Sequence, residues 1–270
     1  MRTLILNSSN ISSTSGNNVL TYTFPQGSVT FKSNKVGLQA VSLYYSWQNV
    51  SASISWSYKW VDGVTYPMTL PAGFYAVSDF NSFIQATMYA NGHYLVNSSG
   101  SNVYYLELQT NTVYYSVQLN SYAVPTALPS GWSKPSSATW SFPASATTPQ
   151  LIIPSGLSSL LGITTGTYPS VSQTTNYSHL SDTTPQITPV QSVVMTCSLI
   201  NSRYSNPATL LTCFSPNVTY GSLISVTAQQ PVMNEIQDGS YTSFMLQFFD
   251  QSLNSLAIKD SNLVVLLVIE

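Results

Sequence analysis

The sequence predicts an all-β protein, either a sandwich or a barrel, and three observations support that prediction. Most apolar segments are short, rich in β-branched and aromatic residues, and separated by turn residues. Helical spacing is confined to two segments. The chain contains 18 Tyr, 10 Phe and 5 Trp, which argues against disorder although charged residues make up only 6% of it. Many strands with two short helices are typical of a sandwich or barrel rather than an α/β nucleotide-binding fold.

A long strand and a β-hairpin are predicted in the first third of the chain. Residues 35–47 are β-branched and aromatic throughout. Residues 53–61 alternate between large apolar and small polar side chains, Asp62-Gly63 supplies a tight turn, and residues 64–70 return. The large side chains of the alternating face are Ile54, Trp56, Tyr58 and Trp60.

A second hairpin and five later strands complete the predicted β content. The second hairpin joins residues 103–108 to 113–119 through a turn at 109–112. The later strands are predicted at 192–200, 210–214, 222–228, 240–249 and 262–269.

Two short helices are predicted between the strands. The first covers residues 80–88, where apolar residues recur at helical spacing after Ser78-Asp79 and before Asn91-Gly92. The second covers residues 155–161, with Gly162 as its C-terminal stop.

The sequence ends on seven consecutive apolar residues, Leu263 to Ile269. A helix that crosses a bilayer needs about 20 apolar residues, so no membrane span is expected. The apolar residues near Met1 are too few for a secretory signal, and we expect the mature chain to begin there. The C-terminal run is predicted to be a final strand that is covered on both faces and paired on both edges.

One domain is expected, because 270 residues can form a large all-β domain and no linker divides them. Residues 1–20 are rich in Ser, Asn and Gly and are predicted to form an N-terminal arm. The single domain would then cover residues 21–270.

Charge limits the partners of this protein. With 7 Lys+Arg against 9 Asp+Glu, the chain has no basic patch for nucleic acid or for anionic lipid. A neutral surface rich in hydroxyl and amide groups gives little repulsion between copies. Such a surface suits permanent packing against other subunits, and it also fits an extracellular adhesin.

Residues that could perform catalysis are scarce. His93 and His179 are the two histidines, and each is predicted to be a structural or loop residue. The sequence contains no nucleophile elbow, calcium loop or phosphate-binding loop. The carboxylates of Asp62, Asp79, Asp238 and Asp260 fit turns and a helix cap. We therefore predict that the protein is not an enzyme and has no catalytic, cofactor-binding or metal-binding residues and no cofactor.

Cysteines and aromatic residues are the remaining candidates for functional residues. Cys197 and Cys213 match no zinc signature and are predicted to be buried free thiols, with a disulfide as the alternative. Trp56, Tyr58 and Trp60 could form a platform that stacks on a sugar. Alternating aromatic residues on one strand face favour a core or a subunit interface.

Four segments together carry a family resemblance. They are residues 70–75 leading into the Asp79-Phe80-Asn81 helix; residues 149–154 followed by 157–163; residues 195–214; and residues 236–241 running through 249–251 to 259–263. In this order and spacing, over residues 20 to 270, they resemble the minor capsid, or penton, proteins of virophages and polinton-like viruses.

The resemblance implies a single jelly roll of eight strands in two sheets, with a loop-rich insertion around residues 98–190. It implies homopentamers at the five-fold vertices of an icosahedral capsid, in contact with the double-jelly-roll major capsid protein. A vertex fibre or a host receptor is left open as a further partner. The implied location is the virion, after assembly in the host cytoplasm or a virus factory, and the family has no catalytic residues to transfer.

Two other classes of function are weighed against this one. A carbohydrate-binding or adhesin-type β-sandwich is the alternative, and a cleft lined by exposed aromatic residues would favour it. An enzyme comes third, because it would require His93 or His179 to meet carboxylates in a pocket.

Overall fold

The computed structural model describes residues 1–13 and 16–270. Its internal contacts divide the chain into two compact units. We call Met1–Trp47 together with Val190–Glu270 the split unit, and Gln48–Pro189 the inserted unit.

Twenty strands and two α-helices make up the described chain, which confirms the all-β prediction. The first part of the split unit contains β1 (Arg2–Leu6), a 3-10 helix (Ser8–Asn10), β2 (Val19–Thr23), β3 (Val29–Phe31) and β4 (Lys35–Tyr44). The inserted unit contains β5 (Ile54–Lys59), β6 (Thr65–Leu70), α1 (Val77–Ala90), β7 (Leu95–Val96), β8 (Asn102–Val103), β9 (Leu106–Asn111), β10 (Ser116–Ser121), β11 (Gln150–Ile153), α2 (Ser155–Leu161), β12 (Gly166–Tyr168) and β13 (Tyr177–Leu180). The second part of the split unit contains β14 (Val193–Cys197), β15 (Leu210–Phe214), β16 (Leu223–Thr227), β17 (Asn234–Glu235), β18 (Gly239–Tyr241), β19 (Ser243–Phe249) and β20 (Val264–Ile269).

Eight strands of the split unit form two antiparallel sheets. The first sheet has the order β1-β20-β4-β16, and the second has the order β15-β14-β19-β2. Counted along the chain, the first of these eight strands pairs with the eighth, the second with the seventh, the third with the sixth and the fourth with the fifth. This nested pairing is that of a jelly roll, so the predicted eight-stranded jelly roll is confirmed.

The core of the split unit is formed by every second side chain along each strand, because side chains alternate between the two sides of a sheet. In the first sheet, Leu6, Val41 and Val265 lie side by side in the pairing register and are all buried. In the second sheet, Leu20 pairs with Leu246, and both are fully buried. Each such side chain removed from water contributes about 1.5–3 kcal/mol to folding.

Residues 2–6 differ from the predicted N-terminal arm. They form β1, which pairs over its whole length with β20, from Arg2 opposite Ile269 to Leu6 opposite Val265. The physical reason is that the Leu6 side chain lies in the core, where none of its surface is exposed to solvent. The predicted arm also included residues 14 and 15, which lie outside the described residues.

The inserted unit is larger than the predicted insertion at 98–190. It spans Gln48–Pro189 and joins the chain between the third and fourth strands of the jelly roll. The earlier boundary follows from a shared core, because Trp56 of β5, Trp60 just after that strand and Phe80 of α1 belong to one buried cluster with Leu108 of β9 and Leu151 of β11. Strand β5 therefore packs with the insertion rather than with the jelly roll.

Local signals placed several elements of the inserted unit correctly. Gly63 has φ +81° in the turn between β5 and β6, and these two strands pair as predicted. Helix α2 covers the predicted residues 155–161 and ends at Gly162 with φ +69°. A Cβ at Gly162 would lie 2.2 Å from the carbonyl oxygen of Thr183, so both the backbone angle and the space require glycine.

The second hairpin and the first helix differ from their predicted bounds. The turn between β9 and β10 covers residues 112–115 rather than 109–112, because residues 109–111 continue β9 and pair with residues 116–118, of which Val117 is buried. Helix α1 begins at Val77, and the Asp79 carboxylate accepts a hydrogen bond of 2.8 Å from the Ala76 N–H. The side chain of Asn81 accepts a 2.9 Å bond from the Leu108 N–H and ties α1 to β9.

Candidate functional site

The candidate functional site is the outward side of the first sheet of the jelly roll. Since side chains alternate along a strand, the neighbours of the buried residues point away from the core. Ile5 lies opposite Leu266, Leu266 opposite Ala40, and Leu223 opposite Tyr44 on this side. We call the six residues Ile5, Ala40, Tyr44, Leu223, Val264 and Leu266 the outer apolar face.

The outer apolar face is accessible to a partner. Ile5 is 58% exposed, Val264 is 40% exposed, and Tyr44 and Leu223 are each 47% exposed. At the far end of the same side, Gly37 is covered, because an added Cβ there would lie 2.8 Å from the Met233 sulfur. The six-residue face is therefore an uncharged, partly exposed part of the sheet, and the hydroxyl groups of Ser42 and Ser225 lie among its apolar side chains.

Strand β20 occupies the place that its sequence predicts. It is central, with β1 on one edge and β4 on the other, so the predicted pairing of both edges is confirmed. One side, with Val265 and Leu267, is fully buried. The other side is not fully covered within the chain, because Val264 is exposed and Leu266 is half-buried.

His93 is a core residue of the inserted unit. Its ring stacks on Trp60 with 4.6 Å between ring centroids and 4° between planes. The Tyr58 hydroxyl lies 2.8 Å from His93 Nδ1 and accepts a 3.0 Å bond from the Asn91 side chain. Burial lowers the pKa of His93 to about 4, so its ring is neutral at pH 7. These contacts hold β5 against the end of α1, as expected for a structural histidine.

His179 lies beside a carboxylate. Its Nε2 atom is 3.2 Å from Asp182 Oδ1, and its ring packs 4.6 Å from the ring of Tyr168. Asp182 Oδ2 also accepts a 2.8 Å bond from the Thr164 N–H, and this bond is the main cause that lowers the pKa of Asp182. The pair therefore links β13 to the chain that follows α2.

Five of the other carboxylates accept hydrogen bonds from backbone N–H groups. Asp62, Asp79 and Asp260 stabilise the turns and the cap predicted for them, and Asp250 stabilises a turn in the same way. Asp238 instead bonds to the N–H of Ser33, far away in the sequence, so its predicted role in a local turn is wrong. Each accepts a bond of 2.8 Å from at least one backbone N–H: Asp62 from Val64, Asp79 from Ala76, Asp238 from Ser33, Asp250 from Ser252 and Asn254, and Asp260 from Tyr44 and Asn262.

Neither metal ligation nor a membrane span emerges from the described residues. Within residues 1–13 and 16–270, no three His, Cys, Asp or Glu side chains are grouped to hold a metal ion. Within the same ranges, no helix is long and apolar enough to cross a bilayer.

The aromatic face of β5 is core rather than a sugar platform. Trp56, Tyr58 and Trp60 are all buried, with exposed fractions of 3% or less. Trp60 packs edge-on against Trp140, and Trp56 packs edge-on against Phe80. The core interpretation is confirmed for this strand.

Cys197 and Cys213 are both free, so the disulfide alternative is wrong. Cys197 is buried, and burial raises the pKa of its thiol to about 12. Cys213 is exposed on β15, where it pairs with Val194, so the prediction of a buried thiol is wrong at this position. A register shift at the buried Leu211 interrupts the alternation of β15, so that Thr212 pairs with the core residue Met195 and Cys213 turns away from the core.

The two thiols should differ in reactivity. We expect a neutral disulfide reagent to label one thiol per native chain, at Cys213, and two after denaturation, because the thiolate is the nucleophile and Cys197 is buried. Counting released chromophore before and after denaturant measures both. The control is C213S, for which we expect no native labelling; fast native labelling of C213S would contradict the burial of Cys197.

Comparisons with known proteins identify no sequence relative, and the similar structures include two from virophages. No protein-family model matches the chain, and no curated protein sequence matches it. The mavirus penton protein is 8% identical at a TM-score of 0.42, over 100% of this chain and 99% of that chain. A chain of the Sputnik virophage is 12% identical at a TM-score of 0.40, over 100% of this chain and 97% of that chain. Similarity at this level does not establish a common function.

Proposed function

We propose that this chain is a structural capsid protein, a penton or minor capsid protein, that forms homopentamers at the five-fold vertices of an icosahedral virus particle. The observation that carries the proposal is a complete eight-stranded jelly roll whose first sheet leaves an uncharged outer apolar face uncovered. Jelly rolls serve as capsid and lectin domains, among others. The bare sheet face favours assembly among these uses.

The outer apolar face is suited to a permanent contact with another subunit. Its six side chains carry no charge, and they cross all four strands of the sheet. Obligate interfaces are more apolar than the rest of a protein surface and exclude charged residues from their centre. A ring of five copies joined head to tail would use this face on one side of each subunit and a different surface on the other.

The remaining parts of the proposal follow from the sequence resemblance. The flanks of the pentamer would contact the double-jelly-roll major capsid protein, and the location would be the capsid vertex, with assembly in the host cytoplasm or a virus factory. A vertex fibre or a host receptor would be a further partner. We expect no catalytic activity and no direct contact with nucleic acid, in keeping with 7 Lys+Arg against 9 Asp+Glu.

Particle mass in solution tests the proposal. Light scattering on the purified chain should give the mass of a pentamer, which is five times 29.4 kDa or about 147 kDa. If the chain does not form pentamers alone, it should form them after the major capsid protein of the same virus is added. A chain that stays at 29.4 kDa under both conditions would refute the capsid assignment.

Charge placed on the outer apolar face should prevent assembly. We expect I5K and V264K to shift the pentamer to monomer, with at least a tenfold loss of association, because each ring contact would bury an unpaired ammonium group. Both side chains are exposed in the chain, so the thermal midpoint should change little. Light scattering and circular dichroism measure the two effects.

Y204K is the matched control for these variants. Tyr204 is also an exposed, apolar residue of the split unit, but it lies in the loop between β14 and β15 and not on the sheet. We expect Y204K to assemble like the unmodified chain. Pentamers formed equally well by I5K and V264K would show that another surface joins the subunits.

A further inference from the structure

We infer that the inserted unit carries a binding groove for a neutral carbohydrate. The groove lies between three segments of that unit: the N-terminal end of α1, the turn between β9 and β10, and residues 185–188. Its volume is about 380 Å³, which is within the range of small-ligand sites. The inference concerns a site outside the jelly roll and does not depend on the capsid proposal.

The walls of the groove are held in place by the protein itself. The side-chain amide of Asn49 donates to the carbonyl oxygens of Tyr75, at 2.8 Å, and Ile187, at 2.9 Å, and its oxygen accepts a 2.9 Å bond from the Tyr75 N–H. The Ser181 N–H donates to the Val117 carbonyl at 2.8 Å. The Asn49 bonds join the start of α1 to the 185–188 segment, and the Ser181 bond joins β10 to the chain just before that segment, so these walls are positioned without a ligand.

The lining selects an uncharged ligand. Among the described residues around the groove there is no Asp, Glu, Lys, Arg or His. Apolar side chains such as Val77 and Ile187 share the walls with the hydroxyl-bearing Thr110, Thr112 and Thr188. An ionic ligand would lose its hydration here without gaining a counter-charge, which is costly.

Tyr115 places an aromatic ring at the rim of the groove. Its side chain is 77% exposed, and the adjacent Val113 and Tyr114 are 84% and 68% exposed. The Tyr115 backbone has φ +49°, a left-handed conformation that costs a non-glycine residue about 1 kcal/mol. Asn or Gly adopts this conformation at lower cost. The turn therefore holds an exposed aromatic ring beside the groove, where it is available to a ligand.

A carbohydrate ring is the neutral ligand that matches both parts of this lining. It has an apolar C–H face, which can stack on an exposed aromatic ring, and hydroxyl groups, which can bond to threonine and amide side chains. An alkyl chain would cover the threonine hydroxyls without bonding to them. A cleft lined by exposed aromatic residues is the feature that would favour the sequence-based alternative of carbohydrate binding, and Tyr115 supplies an aromatic residue to this lining.

Saturation-transfer NMR on the full chain tests this inference. The probes are the methyl glycosides of glucose, galactose, mannose and N-acetylglucosamine, together with cellobiose and lactose. We expect at least one probe to bind with a dissociation constant on the order of 1 mM, as is usual for a single small ligand with few contacts. Y115N should weaken that binding at least tenfold, because asparagine tolerates the left-handed backbone and removes the ring.

The controls separate loss of the site from loss of the fold. Y204N removes another exposed tyrosine, from the split unit, and should bind the probe as the unmodified chain does. The thermal midpoint of Y115N should stay within a few degrees of the parent value. Three results would overturn the inference: no transfer to any probe at millimolar concentration, unchanged binding by Y115N, or stronger binding of an acidic sugar such as sialyllactose. A chain that assembles but binds no probe overturns this inference alone.

Discussion

A chain that ends at Asp260 should fail to fold its jelly roll. Strand β20 is central, so its removal leaves β1 without the strand that it pairs with and leaves one edge of β4 unpaired. The loss includes the fully buried side chains of Leu263, Val265 and Leu267. Each of these contributes about 1.5–3 kcal/mol, and together they approach the whole stability of a typical domain.

Circular dichroism, NMR and solubility measure the effect of this truncation. We expect aggregated or partly unfolded protein, because the unpaired edges of β1 and β4 would template association. Soluble, folded protein from residues 1–260 would show that β20 is dispensable and would contradict its role in the core.

A matched pair of point variants makes the same test without truncation. L267A removes a fully buried side chain and should cost about 2–5 kcal/mol of unfolding free energy, whereas V264A, on the exposed side, should cost less than about 1 kcal/mol. Chemical denaturation of the two variants gives the difference. Equal losses would mean that the two sides of β20 are buried to the same extent.

Acid should destabilise the inserted unit through His93. Burial lowers its pKa to about 4 in the folded chain, against a usual value of 6.5. The unfolded chain therefore binds a proton that the folded chain does not, so stability is fully present above pH 6.5 and falls as the pH drops from 6.5 to 4. Between pH 7 and pH 4.5 this one group should lower the unfolding free energy by about 2 kcal/mol.

Urea unfolding at several pH values, followed by tryptophan fluorescence, measures this loss. Four of the five tryptophans lie in the inserted unit, so the signal reports mainly on that unit. H93Q should be less stable at pH 7 and should lack this component of the pH dependence. NMR titration of the His93 ring is an independent readout, and a ring that titrates near pH 6.5 in the folded chain would contradict the prediction.

Strong local patterns predicted much of the fold, and weak ones did not. The alternation of residues 53–61 and the Asp62-Gly63 turn identified β5 and β6, and Gly162 marked the end of α2. In contrast, β1 and β2 were missed, because five residues among Ser and Asn carry little pattern of their own. Their stability comes from pairing with β20 and β19, which lie more than 200 residues away.

The candidate sites were less predictable than the fold. The sequence identified Trp56, Tyr58 and Trp60 as aromatic and correctly favoured a core role, but it could not show that Tyr115 forms the rim of a groove. The groove draws its walls from residues near 76, 115 and 187, which meet only in the folded unit. Exposed aromatic residues next to each other, such as Tyr114 and Tyr115 in a hairpin, are the one local signal that could have indicated it.

By itself the sequence determined that this protein is all-β, that its last apolar run forms a strand, and that Asp62, Asp79 and Asp260 stabilise turns or a cap. These properties follow from side-chain alternation and turn chemistry, which act over a few residues. The tertiary structure decided that the first strand pairs with the last, that residues 48–189 form their own unit, and that one side of β20 is only partly covered. The physical reason is that these properties depend on which distant segments exclude water from one another, and no local pattern encodes that choice.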